Sequence, residues 1–278
     1  MDNSAVGEGR GVLREIDRRS GAVARLTSLP PGSGLDDHVH DHPYLSLHLL
    51  GAYSEAGDGG EVHIDGPAAA FHPAGAAHAD RIGRRGLTTV VVEFEGDWLA
   101  RALGSRPLPD RSVYWLDGEV TAGAARLARR CLEPAGASAS AAAAVGFLAQ
   151  ALAAPAPRSA PSWLRRLDEL GERHPEVEPT ALGRRLGLSE GWLARAYRAH
   201  RGESLSQRRR RRRVETAVNL LAAGALPLAE VALDAGFCDQ SHMNRAFRML
   251  LGATPAEVRR ERAGHAGAYR PVAELPRR

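Results

Sequence analysis

The sequence predicts an α+β multidomain protein, an all-β barrel or sandwich followed by an all-α region. Three observations predict it. Residues 12–116 contain short apolar runs separated by turn clusters such as Pro30-Pro-Gly-Ser-Gly34, a spacing that suits small strands. Ala153–Pro161 is a Pro/Ala stretch that can neither continue a helix nor join a sheet. Beyond it, apolar residues recur with helical spacing to the end of the chain.

Strands are expected at Val12–Ile16, Val23–Leu26, Tyr44–Leu50, Glu61–Ile64, Ala68–His72 and Leu87–Phe94, and an Ala-rich helical region at 119–153. Ser162 is the expected N-cap of Trp163–Arg173. Two short pairs follow, Thr180–Leu186 with Ser189–His200 and Pro227–Ala235 with Asp239–Leu251, each turning at a glycine. A longer helix, Ser204–Ala223, joins the pairs, and Thr254-Pro-Ala-Glu257 is a capping box opening a last helix. The domains expected are therefore 1–116, 117–153, a linker at 154–161, and 162–278.

Composition excludes several classes. Among 278 residues, 44% are hydrophobic and 25% charged, which is a globular balance with ample core. No apolar run is long enough for a membrane span, and Met1–Arg19 has no apolar block of the kind a secretory signal needs. Two cysteines, Cys131 and Cys238, cannot make a disulfide framework. A cytoplasmic protein without a membrane partner is expected. Charge is divided unevenly along the chain. Through Pro157 there are 14 Arg and 19 acids, a net of −5; from Arg158 there are 23 Arg and 14 acids, a net of +9. Such asymmetry points to a polyanion-binding C-terminal half.

Each short pair reads as two amphipathic helices around a glycine turn. In the second pair, Met243, Ala246, Phe247, Leu250 and Leu251 form an apolar stripe, while Ser241, Asn244, Arg245 and Arg248 form a polar face. In the first, Leu193, Ala196, Tyr197 and His200 oppose Gly191, Ala194, Arg195 and Arg198. This is the layout in which a second helix enters the major groove; a generic helical hairpin with a solvated face has the same periodicity. The stretch 228–255, with Gly236-Phe237, Arg245-x-Phe247, Gly252-x-Thr254-Pro255 and a closing Arg259, resembles the C-terminal signature of the AraC/XylS family of transcription regulators. The resemblance covers about residues 162–262.

That resemblance implies two helix-turn-helix units reading successive major-groove segments of double-stranded DNA, with RNA polymerase as a further partner and a homodimer as the assembly. It places base contacts at Gly191, Ala194, Arg195 and Arg198 and at Gln240, Ser241, His242, Asn244 and Arg245. Arg195 and Arg245 can fork onto guanine, and Gln240 or Asn244 can read adenine, whereas Gly191 and Ala194 offer no polar base contact. One departure concerns Arg208–Arg213, six consecutive arginines in the joining helix. Six helical residues cover every face, so at least one must lie against the bundle, snorkelling or paired with an acid.

Seven of the eleven histidines fall between His38 and His78. Gly32-x5-His38-Val-His40 followed by Gly51 resembles the first cupin motif, and Gly66-x6-Pro73-Ala-Gly75-Ala-Ala-His78 the second. The cupin resemblance implies that His38, His40 and His78 converge, as ligands of a divalent metal or as the lining of an effector pocket together with Tyr44. His38, His40, His42, Tyr44, Ser46 and His48 share one parity along the chain, which favours convergence. Tyr44 stands where metal-binding cupins carry glutamate. Three uses stay open: a metal-free ligand pocket, a metal site, and catalysis. The 119–153 helices either mediate dimerisation or cover one face of the barrel. The expected function is a DNA-binding regulator controlled by a small-molecule or metal effector, with no catalytic residues; a cupin-type metalloenzyme with a helical appendage is the alternative.

Overall fold

A computed structural model describes residues 12–19, 21–57, 60–104, 106–116, 118–133, 140–154, 161–174, 177–224 and 226–264. Most of the expected linker, 155–160, and the end of the chain, 265–278, lie outside the described residues. The N-terminal half contains β1 (Val12–Arg19), β2 (Ala22–Leu29), β3 (Gly34–His38), β4 (Tyr44–Gly57), β5 (Gly60–Asp65), β6 (Ala68–His72), β7 (His78–Phe94), α1 (Gly96–Leu103) and β8 (Val113–Trp115). After these come α2 (Gly118–Leu132), α3 (Ser140–Ala153), α4 (Ser162–Arg173), α5 (Pro179–Arg185), α6 (Glu190–Arg201), α7 (Leu205–Ala223), α8 (Leu228–Asp234), α9 (Gln240–Leu251) and α10 (Pro255–Gly264).

The strands form one antiparallel sheet in the order β1-β2-β7-β4-β6-β8, with β3 on β7 and β5 on β4. Two long strands organise it. The first part of β4, Tyr44–His48, pairs with β6, and its last part, Ala52–Gly57, pairs with β5; β7 runs along both parts. Register shifts between His48 and Leu50 and between Gly51 and Tyr53 bend this ribbon so that the sheet folds over itself. Every residue from Tyr44 to Tyr53 is buried, so this part of β4 has no solvent face and cannot show simple alternation.

The sequence expectations differ from this in instructive places. Leu87–Phe94 captures only the apolar part of β7, because its first half, with Arg81, Arg84 and Arg85, lacks an apolar pattern. The short β3 and α1 were not expected. Ser162 is the first residue of α4 rather than its cap, since Pro161 holds the N-cap position. In contrast, Asp239 caps α9 by accepting from the His242 N–H at 2.7 Å, and the Thr254–Glu257 capping box is present.

The two halves are joined by charge and by apolar contact. Arg211 of the arginine run is 3% exposed and donates to Glu203 and to Glu215, at 2.9 and 2.8 Å. Glu215 also accepts from Arg85 of β7 at 2.8 Å and from the Gly51 N–H of β4 at 2.8 Å. Asp65 of β5 accepts from Arg85 and from Arg212. The run is thus divided between buried and outward-facing members, as helix geometry demands. Lone buried charges cost several kcal/mol, so these six groups can be buried only together.

α2 forms the second junction. It packs on β4 and β6 and also touches α6 and α9. Both of those helices end in a left-handed glycine, Gly202 at φ +66° and Gly252 at φ +61°. A Cβ on Gly202 would lie 2.8 Å from the Ala122 nitrogen, and one on Gly252 2.8 Å from the Leu132 oxygen. Glycine therefore serves twice at each position, by accepting positive φ and by letting the helix end sit directly on α2. Of the apolar stripes of the 119–153 region, Leu127, Cys131 and Leu148 are buried in the chain's own core, and Leu152 packs against it half-buried.

The seam predicts a pH response. Arg85, Arg211 and Arg212 hold the Glu215 carboxyl down at about 2, against 4.5 for the ordinary group. The stability Glu215 contributes is complete above pH 4.5 and is lost as pH falls from there through about 2. Replacing it, Glu215→Gln, removes a carboxylate that Arg85 and Arg211 share and should cost about 3–5 kcal/mol at neutral pH in denaturant unfolding. The variant should also lose this part of the acid dependence; an unchanged unfolding midpoint would contradict the seam.

Candidate effector chamber and recognition helices

His38 ends β3, His40 follows in the connection to β4, and His78 begins β7, directly paired with His38. Their ring centroids lie 5.1 Å (His38–His40), 4.2 Å (His38–His78) and 5.4 Å (His40–His78) apart. One nitrogen from each ring falls within 4.8 Å of the others, close enough for a shared ion. The tautomers can be read from the carbonyls, which only accept. His38 Nδ1–H donates to the Asp36 carbonyl at 2.8 Å, and His78 Nδ1–H to the Ala76 carbonyl at 3.1 Å. Both rings therefore present the Nε2 lone pair inward, the arrangement that a metal ligand or a hydrogen-bond acceptor needs.

Burial lowers the basicity of His38 and His78, and pulls His40 down to about 4 with help from the two neighbouring rings. The three are neutral imidazoles at physiological pH. Tyr44, at the start of β4, donates its hydroxyl to His78 Nε2 at 3.0 Å. Its own ionisation is pushed up by burial, so it acts as a hydroxyl and not as a phenolate ligand.

The structure adds residues that sequence reasoning passed over. His72 of β6 stacks on Tyr44 at 4.4 Å and approaches Glu55 Oε1 at 3.3 Å. Glu55, 2% exposed, accepts from Tyr114 at 2.7 Å and Tyr53 at 3.3 Å. Glu55, His72 and His78 form a second set of donors within 4.8 Å of one another. The carboxylate missing at Tyr44 is thus supplied from eleven residues further along the same strand. Glu55 also stands directly across from Asp80 of β7, and burial with the charge of Glu55 raises Asp80 to about 8. Glu55 lies beyond the expected strand Tyr44–Leu50 and carries no local signal; only the β4–β6 register could bring His72 in.

Shared parity proves a partial guide. His42 is exposed, because residues 39–43 lie outside the strands, with a bend at 41–42. His48 is buried, but it faces Ser46 at 3.2 Å and Tyr53 at 3.3 Å, outside both donor sets.

In the helical half, Gly191, Ala194, Arg195 and Arg198 lie exposed on α6. Arg198 also borders a crevice against α2 with Arg126 and Arg129. On α9, Gln240, Ser241 and Arg245 are exposed, while His242 and Asn244 are half-buried. The His242 ring leans edge-on against Phe237 at 5.2 Å, so part of its surface is used in packing. The inward stripes are buried: Leu193 and Tyr197 on α6, and Met243, Ala246, Phe247 and Leu251 on α9. Both helices thus offer a polar face backed by a packed apolar one.

His48 supplies a pH test away from the donor sets. Burial depresses it to about 3, so the stability tied to its neutral form is complete above 6.5 and is lost as pH falls below that value. Replacing it, His48→Gln, should flatten the loss of stability between pH 6 and 4 by up to about 1.4 kcal/mol per pH unit in pH-dependent unfolding, the slope of one proton. An unaltered slope would contradict its burial as a neutral ring.

Comparison with known proteins bears on the helical half. Residues 182–261 match the family described as helix-turn-helix domain. The chain is 34% identical over 84 residues to the HTH-type transcriptional regulator GlxA of Rhizobium meliloti, covering 30% of this chain and 26% of that one. It is 32% identical over 92 residues to the arabinose operon regulatory protein of Salmonella typhimurium, covering 33% and 32%. The chain thus spans about a quarter to a third of the length of these curated relatives. Among solved structures, ToxT of Vibrio cholerae with bound unsaturated fatty acid aligns over 93% of this chain and 99% of its own, at 10% identity and a TM-score of 0.40. No helix among the described residues is long and apolar enough to cross a membrane. A sheet-rich N-terminal half precedes the helices, and residues 182–261 form a helix-turn-helix domain.

Proposed function

We propose that this chain is a sequence-specific, DNA-binding transcription regulator controlled by an effector held in the histidine chamber. The observation that carries the reading is the position of α2. It packs on β4 and β6, which supply Tyr44, Glu55 and His72, and it seats the C-terminal glycines of both recognition helices. A ligand that shifts β4 against β6 therefore acts on the element that sets the spacing of α6 and α9.

In this reading residues 1–116 sense, 117–153 couple or dimerise, 154–161 link and 162–278 bind DNA. The base-reading set is Gly191, Ala194, Arg195 and Arg198 with Gln240, Ser241, His242, Asn244 and Arg245. The effector-contacting set is His38, His40, Tyr44 and His78. The three histidines fit a divalent metal, for which imidazole is a good ligand, and the same neutral rings fit hydrogen bonds from a small molecule. A bound metal would supply a fixed positive charge to organise the chamber. RNA polymerase, a second copy of the chain and a cytoplasmic location follow from the likeness to AraC-type regulators. A cupin-type metalloenzyme would rest on the same histidines, but the two exposed polar helix faces have no role in it.

The full chain should bind duplex DNA with an affinity that falls steeply with salt, because phosphate contacts release counterions. Its operator should contain two blocks about 10 bp apart per protomer. Replacing Arg245→Ala should remove about 1–3 kcal/mol of discrimination between operator and random sequence, measured by competition anisotropy. Equal losses on both DNAs would exclude base reading by Arg245. Elemental analysis decides the metal: about one ion per chain, lost in the His40→Ala/His78→Ala double variant, identifies it as ligand. The same variant should bind DNA while losing its effector response, and a normal response would remove the chamber from the mechanism.

A further inference from the structure

The arginine run does more than close the seam. Arg208, Arg211 and Arg212 are tied to Asp168, Glu203, Glu215 and Asp65. Their neighbours Arg209 and Arg213 turn toward a cavity of about 530 Å³, which Arg85, Arg208 and Arg212 also line. Its walls come from both helix-turn-helix units: Pro179 and Leu182 of α5 on one side, and Asp234, Ala235 and Gly236 at the end of α8 on the other. Among the described residues, five arginines meet two acids there, Glu178 and Asp234, and Glu178 is already paired with Arg209 at 2.9 Å.

Two of its lining arginines have donors without acceptors among the described residues. Arg208 is 3% exposed, yet its Nη1 has no hydrogen-bond partner, whereas Nη2 meets Asp168 at 3.0 Å. Buried guanidinium donors are rarely left unmade, since each orphan carries the full cost of its desolvation. Arg213, half-buried against Gly236, forms no ion pair among the described residues. The volume lies in the range of small-ligand sites, about 300–1,000 Å³. No aromatic ring among the described residues lines it, which leaves charge and not stacking as the means of recognition.

We infer that this cavity is a binding site for a phosphate-type polyanion, held between the two helix-turn-helix units by Arg208, Arg209 and Arg213. Guanidinium forks match the oxygens of tetrahedral phosphate, and several forks around one cavity favour a ligand with more than one phosphate group. Arg209 lies beside the first unit through Glu178, and Arg213 beside the second through Gly236. An anion bridging them fixes the separation of the recognition helices from behind. The site is distinct from the histidine chamber and does not rest on what that chamber binds. Two sources carry this chemistry, a free polyphosphorylated small molecule and the phosphates of the DNA backbone.

The test is calorimetric titration of the full chain with inorganic tripolyphosphate, at an ionic strength matched with sodium chloride. Saturable binding is expected, and the Arg209→Gln/Arg213→Gln double variant should weaken it by at least about tenfold, since two charge-assisted contacts are removed. Circular dichroism checks that the variant folds, and Arg213→Gln alone is read if the pair does not. Heat no larger than that of matched salt, or an affinity unchanged in the folded variant, overturns the inference. Repeating the titration on a preformed DNA complex separates the sources. Uptake retained on DNA assigns the site to a free anion, and uptake abolished by DNA assigns it to the backbone; each upholds the site. Loss of DNA binding with tripolyphosphate binding intact would refute the regulator and leave this site standing.

Discussion

The guanidinium of Arg211 is enclosed where sheet and helices meet, and much of the architecture follows from keeping it there. An isolated buried cation would be too costly to hold, so carboxylates must reach it from every side. Glu203 comes from the turn before α7, Glu215 from one helical turn further along α7, and Asp65 from the end of β5. Glu215 in turn needs Arg85 and the Gly51 N–H, both contributed by the sheet. Replacing such a network by apolar groups of equal volume is often neutral or stabilising, so its effect is better seen as selection of one docking geometry. A shift of one residue between α7 and the sheet would leave several charges unpaired at once. The connecting helix is thereby held in register with β4, β5 and β7.

The glycine contacts on α2 add a second point of registration at each recognition helix. Ion pairs tolerate some movement, because guanidinium and carboxylate can rotate together. A helix terminus touching another helix backbone does not, since nothing flexible lies between them. Thr121 reinforces the first contact by donating to the Arg201 carbonyl at 3.2 Å. The two recognition helices therefore sit on a common support whose position is set by β4 and β6. In the proposed regulator, coupling between chamber and DNA would need only a small displacement of that support, because packed interfaces change by discrete steps and not by continuous deformation.

The chamber itself is built to hold neutral groups. Its imidazoles are desolvated and crowd one another, and each of these effects disfavours the charged form. The backbone carbonyls of Asp36 and Ala76 fix which nitrogen bears the proton, so the lone pairs converge. Around them Tyr44, Tyr53 and Tyr114 supply hydroxyls, and Glu55 with Asp80 supplies carboxyls at one end. The result is a graded environment, nitrogen lone pairs at one side and acidic oxygens at the other, with His78 shared by both donor sets.

The sequence alone determined those features that depend on residues near one another in the chain. The helix-turn-helix pairs were legible because a 3.6-residue period and a glycine turn both act within about a dozen residues. The histidine motif was legible for the same reason: His38 and His40 are two residues apart, and His78 follows a Pro-Gly turn. Tertiary structure decided what lies across strands and across the seam. Glu55 enters the chamber through a register set by bulges in β4, and His72 through its pairing with Tyr44. The arginine run shows the division within one segment. Helical geometry required at least one arginine to be buried, but which ones, and against which acids, depended on Asp65 and Arg85, over a hundred residues away in the chain. Local periodicity carries no information about a partner at that distance, because burial and pairing are settled only when the two surfaces meet.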